Sequence, residues 1–517
     1  MIDALRLGEL VATLALAQDN AFGQPLESQL RSCLLAVWMC EAAGLPEEVR
    51  DTVYWVALLR YIGCTGHAHE VATVFGDEIA IRAQTLVHDA ANPEEVMRDV
   101  VTFATAAHPP EAREQVIAAL HAGVHDWIKV NFSSGCEVGE MLTRRLHFGP
   151  QVREALRFTF ERWNGHGFPN NVAGDAIPLA MRIVHVSHDM EAIGRLFSPA
   201  RAIEAAGERR DRTYDPALSD LFVAHGADWF ERLARLEPWD AVLALEPQPH
   251  RLLQGEDLDA ALEVAADFID LKSPYMAGHS RRCADLCMAA AVSLGLSSEV
   301  VTGLRRAALV HDFGTTAVPN SIWDKPGALT RAEFDRVELH PMLTEQMLRR
   351  SPALHVLNPV AAAHHEKSDG SGYHKRLRVD SANAGAALLC ATDIYVGLIT
   401  ERADRQAFAP EEAAQELRRL VANGVLEQRA TQAVLSAAGH GERSGGTRRA
   451  RHAGGLSSRE VEVLNLAAKG FTTRQIAERL FISPKTADHH IQHVYTKIGV
   501  STRAAAALWA MQNAMMA

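Results

Sequence analysis

A chain of 517 residues is long enough for about three domains at roughly 150 residues each. Its 48% hydrophobic and 22% charged content excludes a wholly disordered or collagen-like polymer. Lys and Arg number 52 against 64 Asp and Glu, a formal charge of −12, so the chain is no general nucleic-acid coat and any DNA contact must come from a local basic module.

Asp3, Arg6 and Glu9 interrupt the apolar residues at the start, and no uninterrupted apolar run approaches the roughly 20 residues that span a bilayer. The expectation is a cytoplasmic protein with no membrane partner. Seven cysteines (Cys33, Cys40, Cys64, Cys136, Cys283, Cys287, Cys390) are odd in number and scattered, which argues against a disulfide framework and for a reducing compartment. Cys283 and Cys287, one helical turn apart, read as core filler.

Period-2 alternation is nearly absent. Runs such as Leu34 to Ala43, Ala284 to Leu294 and Ala413 to Ala422 instead carry Ala and Leu at 3.6-residue spacing, so the fold class is all-α. Two breaks divide the chain. Glu246-Pro247-Gln248-Pro249 is a Pro-rich joint, and residues 441–455 form a Gly, Arg and Ser stretch that cannot bury a core. The expected organisation is a helical domain over 1–250, a second over 251–440, a flexible linker over 441–455 and a small helical module over 456–517.

The first two domains are related. Gly44-Leu45-Pro46 through Gly63 aligns with Gly295-Leu296-Ser297 through Gly314 at an offset of 251, and Glu161 to Phe168 aligns with Glu366 to Tyr373 at an offset of 205. The offset changes by 46, so the first copy carries extra residues between the two blocks.

The second copy concentrates His279, His311, Asp312, His340, His364, His365 and Asp393 on an aliphatic helical scaffold. Five imidazoles and two carboxylates make a ligand set suited to a pair of divalent cations. Adjacent helical residues diverge by about 100°, so His364 and His365 can reach one cluster from different angles. The two oxygens of Asp312 can bridge two cations while His311 binds one. Two such cations acidify a water and draw charge from a phosphoryl oxygen.

His311-Asp312, His340-Pro341, His364-His365-Glu366 with Asp369-Gly370-Ser371-Gly372-Tyr373, and Asp393 resemble the HD-GYP family of metal-dependent phosphodiesterases. Gly278-His279-Ser280, Lys325 to Thr330 and Thr400-Glu401-Arg402 support the match. The resemblance implies an HD-type helical fold, two divalent metal ions (iron or manganese) and hydrolysis of cyclic di-GMP to pGpG or GMP. It places His279, His311, Asp312 and Asp393 on one metal and Asp312, His340, His364 and His365 on the other. Asp312 and His311 are then the catalytic pair, and Arg402 and Arg405 grip substrate phosphates.

The chain departs from the family at Thr315 (a Lys), His374 (a Pro), Val396 (an acid) and Tyr275 (a Glu), changes that weaken electrostatic and proton-transfer support for turnover. The first copy places Ser28, Arg60, Tyr61, Gly135, Thr159, Phe160 and His188 at the ligand positions, so it is expected to hold no metal and to serve as a sensor or a packing partner.

In residues 456–517, Ser457 and Glu460 form a capping-box signature and Gly470 ends that helix. A short helix is predicted over about 473–480. Ser483-Pro484 opens another reaching Ile498, with Ala487, Ile491, Val494 and Ile498 inward. Two short helices with the second exposing polar side chains suit the major groove of double-stranded DNA. Leu456 to Glu460, Ile476 to Leu480, Ser483 to Thr486 and Lys497 to Val500 resemble the four-helix LuxR-type helix-turn-helix domain. Thr473, Arg474, Lys485, Thr486, Asp488, His489, Gln492, His493 and Lys497 are the DNA-facing candidates, and the family implies a homodimer. Seven basic against four acidic residues give this segment +3. Asp488 stands where a Lys is usual and could accept from cytosine.

The combined expectation is a bacterial transcriptional regulator with a dimetal phosphohydrolase domain acting on or sensing a cyclic dinucleotide such as cyclic di-GMP. The alternative is an impaired site that senses a nucleotide or metal and controls DNA binding. A third reading has both helical domains only dimerise.

Overall fold

A computed structural model describes residues 2–89, 92–440 and 453–516. The expected linker at 441–455 therefore lies largely outside the described residues. Among the described residues, strands are confined to Ala4–Arg6 and Leu252–Gln254, and the remaining regular structure is helical. The chain divides into two compact units. One is Arg6–Leu252, and the other runs from Leu253 onward and includes the first few residues of the chain.

In the first unit, Ser28–Ala42 is a central helix, packed on Glu47–Leu59 and Leu179–Leu196. Leu34, Leu35 and Ala36 are fully buried and Trp38 nearly so. Such all-round burial explains why this segment shows so little amphipathic patterning. The Pro-rich joint is held firmly: the buried Glu246 carboxylate accepts from the Gly8 amide at 2.8 Å and pairs with Arg6.

In the second unit, His279–Ser293 packs against Ser298–Val310 and Ala384–Leu398. The duplication is visible in matching local devices. Glu161 accepts the amides of Asn170 (2.8 Å) and Val172 (2.9 Å), and Glu366 accepts those of Lys375 and Leu377, both at 2.7 Å. Each pair is separated by the same 205 positions as the sequence blocks. Gly63 and Gly314 match likewise. A Cβ at Gly63 would meet the Gly135 carbonyl oxygen at 1.8 Å, and one at Gly314 the His340 carbonyl oxygen at 1.9 Å. The extra residues of the first copy form the helices Ala68–Phe75, Glu78–Thr85 and Pro93–Ala107 and the start of Arg113–Arg145. They close a cluster around Val71, Phe75, Ala104 and Leu120.

The C-terminal module has four helices, Ser458–Ala468, Thr473–Leu480, Pro484–Ile498 and Arg503–Gln512. Ser457 and Glu460 form the capping box, and Gly470 adopts φ +83° just past the first helix. Ser483 Oγ accepts the Thr486 amide at 3.0 Å. Ala487, Ile491 and Val494 are buried, and the partly buried Ile498 packs against the cluster of Val494 with Leu456, Leu464 and Ala506.

Candidate metal centre and DNA-binding module

The seven candidate ligands come from five separate stretches of chain and converge on one point. His279 opens the helix His279–Ser293 and Asp393 lies within Ala384–Leu398. His311 closes Ser298–Val310, with Asp312 next to it, and His340 opens His340–Leu348. His364 and His365 follow the short helix Asn358–Ala361.

Asp312 sits at the centre and divides the set. Its Oδ2 is 3.3 Å from His311 Nε2 and 3.8 Å from His279 Nε2, whereas Oδ1 is 3.4 Å from both His340 Nε2 and His364 Nε2. Asp393 Oδ1 lies 3.0 Å from His279 Nε2, and its Oδ2 is 3.7 Å from His365 Nδ1. One carboxylate thus faces two imidazole groups through two different oxygens, as a bridging ligand must.

The backbone fixes how the imidazoles are presented. Nδ1 of His311, His340 and His364 lies 2.7, 2.6 and 2.7 Å from the carbonyl oxygens of Ala308, Val337 and Ala361, each three residues earlier. A carbonyl only accepts, so Nδ1 carries the proton, and in the neutral ring each Nε2 offers a lone pair inward. His340 Nε2 and His364 Nε2 then stand 3.0 Å apart, lone pair against lone pair, and His311 Nε2 is buried with no hydrogen-bond partner. Converging lone pairs in a buried site call for a cation, so the donor set fits a metal pair.

Electrostatics follow the same geometry. Burial pushes His279, His340 and His365 toward the neutral imidazole, His340 to about 4. Burial works the same way on His311, but the adjoining Asp312 carboxylate outweighs it and raises His311 to about 9. Asp312 and Asp393 stay ionised: burial opposes their charge, and the surrounding imidazoles overcome it.

Sequence reasoning missed Cys283. It belongs to the same cluster, with Sγ 3.5 Å from His279 Nε2. The signal was present, since Cys283 lies four residues after His279 and so on the same helix face. Burial, then Asp393 and Asp312, push its thiol well up, which leaves it protonated and a weak donor.

The arginines divide in role. Arg405 donates from Nη1 to the carbonyls of Leu398 (3.0 Å), Thr400 (3.3 Å) and Gln406 (3.2 Å) and from Nη2 to Gly397, so its guanidinium is spent on the loop. Arg402 lies over the Trp323 ring at 5.8 Å. Both line a cavity of about 390 Å³ that reaches Asp393. Of the replaced family positions, Thr315 Oγ1 donates to the Asp312 carbonyl at 2.7 Å, His374 Nε2 lies 3.1 Å from Glu345 Oε2, and Val396 is buried.

In the C-terminal module Arg474, Lys485, Thr486, Asp488, His489, Gln492 and His493 are exposed and Thr473 half-buried. Lys497 Nζ is held at 2.6 Å by Glu460 Oε2, which ties the third helix to the first. Arg474 pairs with Glu478 one turn on at 3.1 Å.

Residues 263–425 match the model of the HD domain, and residues 455–510 match that of the bacterial regulatory proteins of the luxR family. The chain carries an HD domain followed by a LuxR-type regulatory module. Among proteins similar to it is the 3'3'-cGAMP-specific phosphodiesterase 3 of Vibrio cholerae, 28% identical over 410 residues, which are 79% of this chain and 89% of that protein. A cyclic di-GMP phosphodiesterase of Thermotoga maritima is 31% identical over 144 residues, 28% of this chain and 39% of its own length. The crystal structure of a cyclic GMP-AMP specific phosphodiesterase from V. cholerae aligns with a TM-score of 0.58 at 25% identity, covering 84% of this chain and 98% of that one. These relatives agree with the all-α, HD-type reading. Among the described residues, no helix is long and apolar enough to cross a membrane.

Proposed function

We propose that this chain is a transcriptional regulator whose HD domain hydrolyses a cyclic dinucleotide, cyclic di-GMP or 3'3'-cGAMP, and whose LuxR-type module binds double-stranded DNA as a homodimer in the cytoplasm. The observation that carries the reading is the divided carboxylate of Asp312, with inward-facing imidazole nitrogens on both sides. His279, His311, Asp312 and Asp393 would hold one divalent ion, and Asp312, His340, His364 and His365 the other, iron or manganese fitting a mixed imidazole and carboxylate set. Bound there, two such ions supply Lewis acidity toward a phosphoryl oxygen and lower the pKa of water. The protein's own part is positional. Carbonyl-fixed tautomers hold the imidazoles in place. Arg402 is placed at the cavity to meet a phosphate. Partial exposure of His365 and Asp393 (22% and 12%) leaves that side open to substrate.

A second reading is favoured by one contact. Glu401, next to Arg402, lies 3.3 Å from Arg479 of the LuxR-type module. Ligand at Arg402 would then bias DNA binding even where Thr315, His374 and Val396 leave turnover slow.

Anaerobic assay of both cyclic dinucleotides with added iron or manganese, run beside His311→Ala, separates the readings. Product from wild type alone supports hydrolysis. Metal without product, together with nucleotide-dependent operator binding, supports sensing. No metal and no nucleotide effect on DNA binding overturns both. Circular dichroism of His311→Ala excludes unfolding as the cause.

A further inference from the structure

The position that binds metal in the second copy is a cavity in the first. A space of about 220 Å³ opens there, the room of about seven waters at ~30 Å³ each. Arg60, Tyr61 and Phe160 line it, and they stand at the places of His311, Asp312 and His365. The exchange inverts the chemistry. Carboxylates and imidazole lone pairs attract a cation in one copy, and guanidinium groups and aromatic rings replace them in the other.

The cationic groups are buried and incompletely satisfied. Arg60, Arg82 and Arg162 line the cavity at 4%, 9% and 7% exposure. Arg60 Nη1 donates to the Val184 carbonyl at 3.1 Å and Arg162 Nη1 to that of Glu161 at 2.8 Å, but Nε of each has no partner. Arg82 donates to the carbonyls of Ala21 (3.2 Å) and Cys64 (2.9 Å) and lies over the Phe22 ring at 4.9 Å. His67 Nδ1, 3% exposed, is also without a partner. Two carboxylates face three guanidinium groups on the lining. Asp99 pairs with His88, while Asp189 contacts His188 at 3.3 Å, accepts from Tyr214 at 3.0 Å and forms a long ion pair with Arg60 at 3.8 Å. Buried guanidinium groups short of a carboxylate are costly unless an anion completes them.

The rest of the wall is aromatic. Phe22 stacks on Tyr61 at 3.8 Å and 18°, and Phe132 on Phe160 at 4.0 Å and 19°. The residues added between the repeat blocks supply Arg82 and Trp127 to the lining, so the insertion is what builds this space. Flat rings beside unpaired guanidinium nitrogens suit a planar base with a phosphate attached.

We propose that the first copy binds a small organic anion with a planar aromatic body, of the class of nucleoside monophosphates, with its charged group on Arg60 and Arg162 and its ring against Phe132 and Phe160. This rests on the first copy alone and stands whether or not the HD domain turns over substrate.

Calorimetric titration of the full chain with AMP and GMP tests it, with inorganic phosphate and laurate as comparison ligands. The expected result is nucleotide binding that is weakened about tenfold or more in Arg60→Met and Phe160→Leu. Phe160→Leu nearly conserves volume, so it remains informative if Arg60→Met fails to fold. No binding of either nucleotide at about 1 mM overturns the proposal. So do nucleotide binding indifferent to both Arg60→Met and Phe160→Leu, laurate binding without nucleotide binding, and phosphate binding as tightly as nucleotide.

Discussion

Gly314 lies in the turn Phe313–Ala317 that follows Asp312, and its amide donates to Thr344 Oγ1, which in turn donates to the His311 carbonyl, both at 2.9 Å. Alanine there would place a Cβ 1.9 Å from the His340 carbonyl oxygen, 2.7 Å from its carbon and 2.9 Å from the Thr344 nitrogen. All three atoms are backbone, and ordinary contact begins near 3.4 Å, so turn and helix must separate by roughly 1.5 Å. Such overpacking costs about 1–3 kcal/mol, which lowers the melting midpoint by a few degrees without unfolding the chain. The metal site is far less tolerant. Ligand positions must hold to within about 0.2 Å, and a 1 Å misplacement costs on the order of 100-fold in rate. Gly314→Ala is therefore expected to remain folded, lose about one metal of two, and lose hydrolysis by ~100-fold or more. Elemental analysis after gel filtration and a circular dichroism melt measure this. Gly63→Ala is the internal control, because its Cβ would strike the Gly135 carbonyl oxygen at 1.8 Å in the first copy. It should shift the melt comparably and leave metal content alone. Full metal content and rate in Gly314→Ala, or equal metal loss in Gly63→Ala, refutes the reasoning.

Chelation should lower the melting midpoint, and metal restored to about 1,000 times its Kd should return ~4 kcal/mol; a melt indifferent to both would mean that the cluster binds no ion. Arg405→Ala should destabilise the chain by ~1.5–3 kcal/mol through the loop carbonyls it leaves unpaired, whereas Arg402→Ala should spare the melt and raise KM; the reverse pattern would exchange their roles. Lys497 and the Ser457 amide hold the Glu460 carboxyl down to about 2, below the ~4.3 of an unfolded chain. Its contribution is thus complete above the unfolded value and lost as pH falls through about 2, so the acid sensitivity of the module's melt should shrink in Glu460→Gln. An identical acid profile in that variant would discount the pair.

The residues that converge around Asp312 could be picked out from sequence because their type and order survive in a one-dimensional string. Their division around Asp312 could not, since it depends on which oxygen faces which imidazole. The first three helices of the C-terminal module were legible to within a residue because Ser457, Gly470, Ser483 and Pro484 act locally on the backbone, whereas the fourth was given no bounds. Long-range choices were hidden. Nothing local marks Arg405 as a clasp on loop carbonyls or Lys497 as the partner of Glu460. The cavity of the first copy was equally hidden, because its lining joins the insertion to residues as distant as Phe22 and Asp189. Cys283 reads as filler in sequence because a cysteine in an apolar helix is ordinary, and its place beside His279 shows only once the helix is folded.

Glu161 and Glu366 make the same two amide contacts in copies that otherwise share none of the seven ligand residues. The loop beside the site is thus anchored by a side-chain carboxylate that accepts from backbone amides, independently of any ion. A scaffold anchored in this way can lose its chemistry one residue at a time and still present a shaped hollow at the same address. Duplication of such a unit leaves one copy free to lose its ligand residues while the other keeps them.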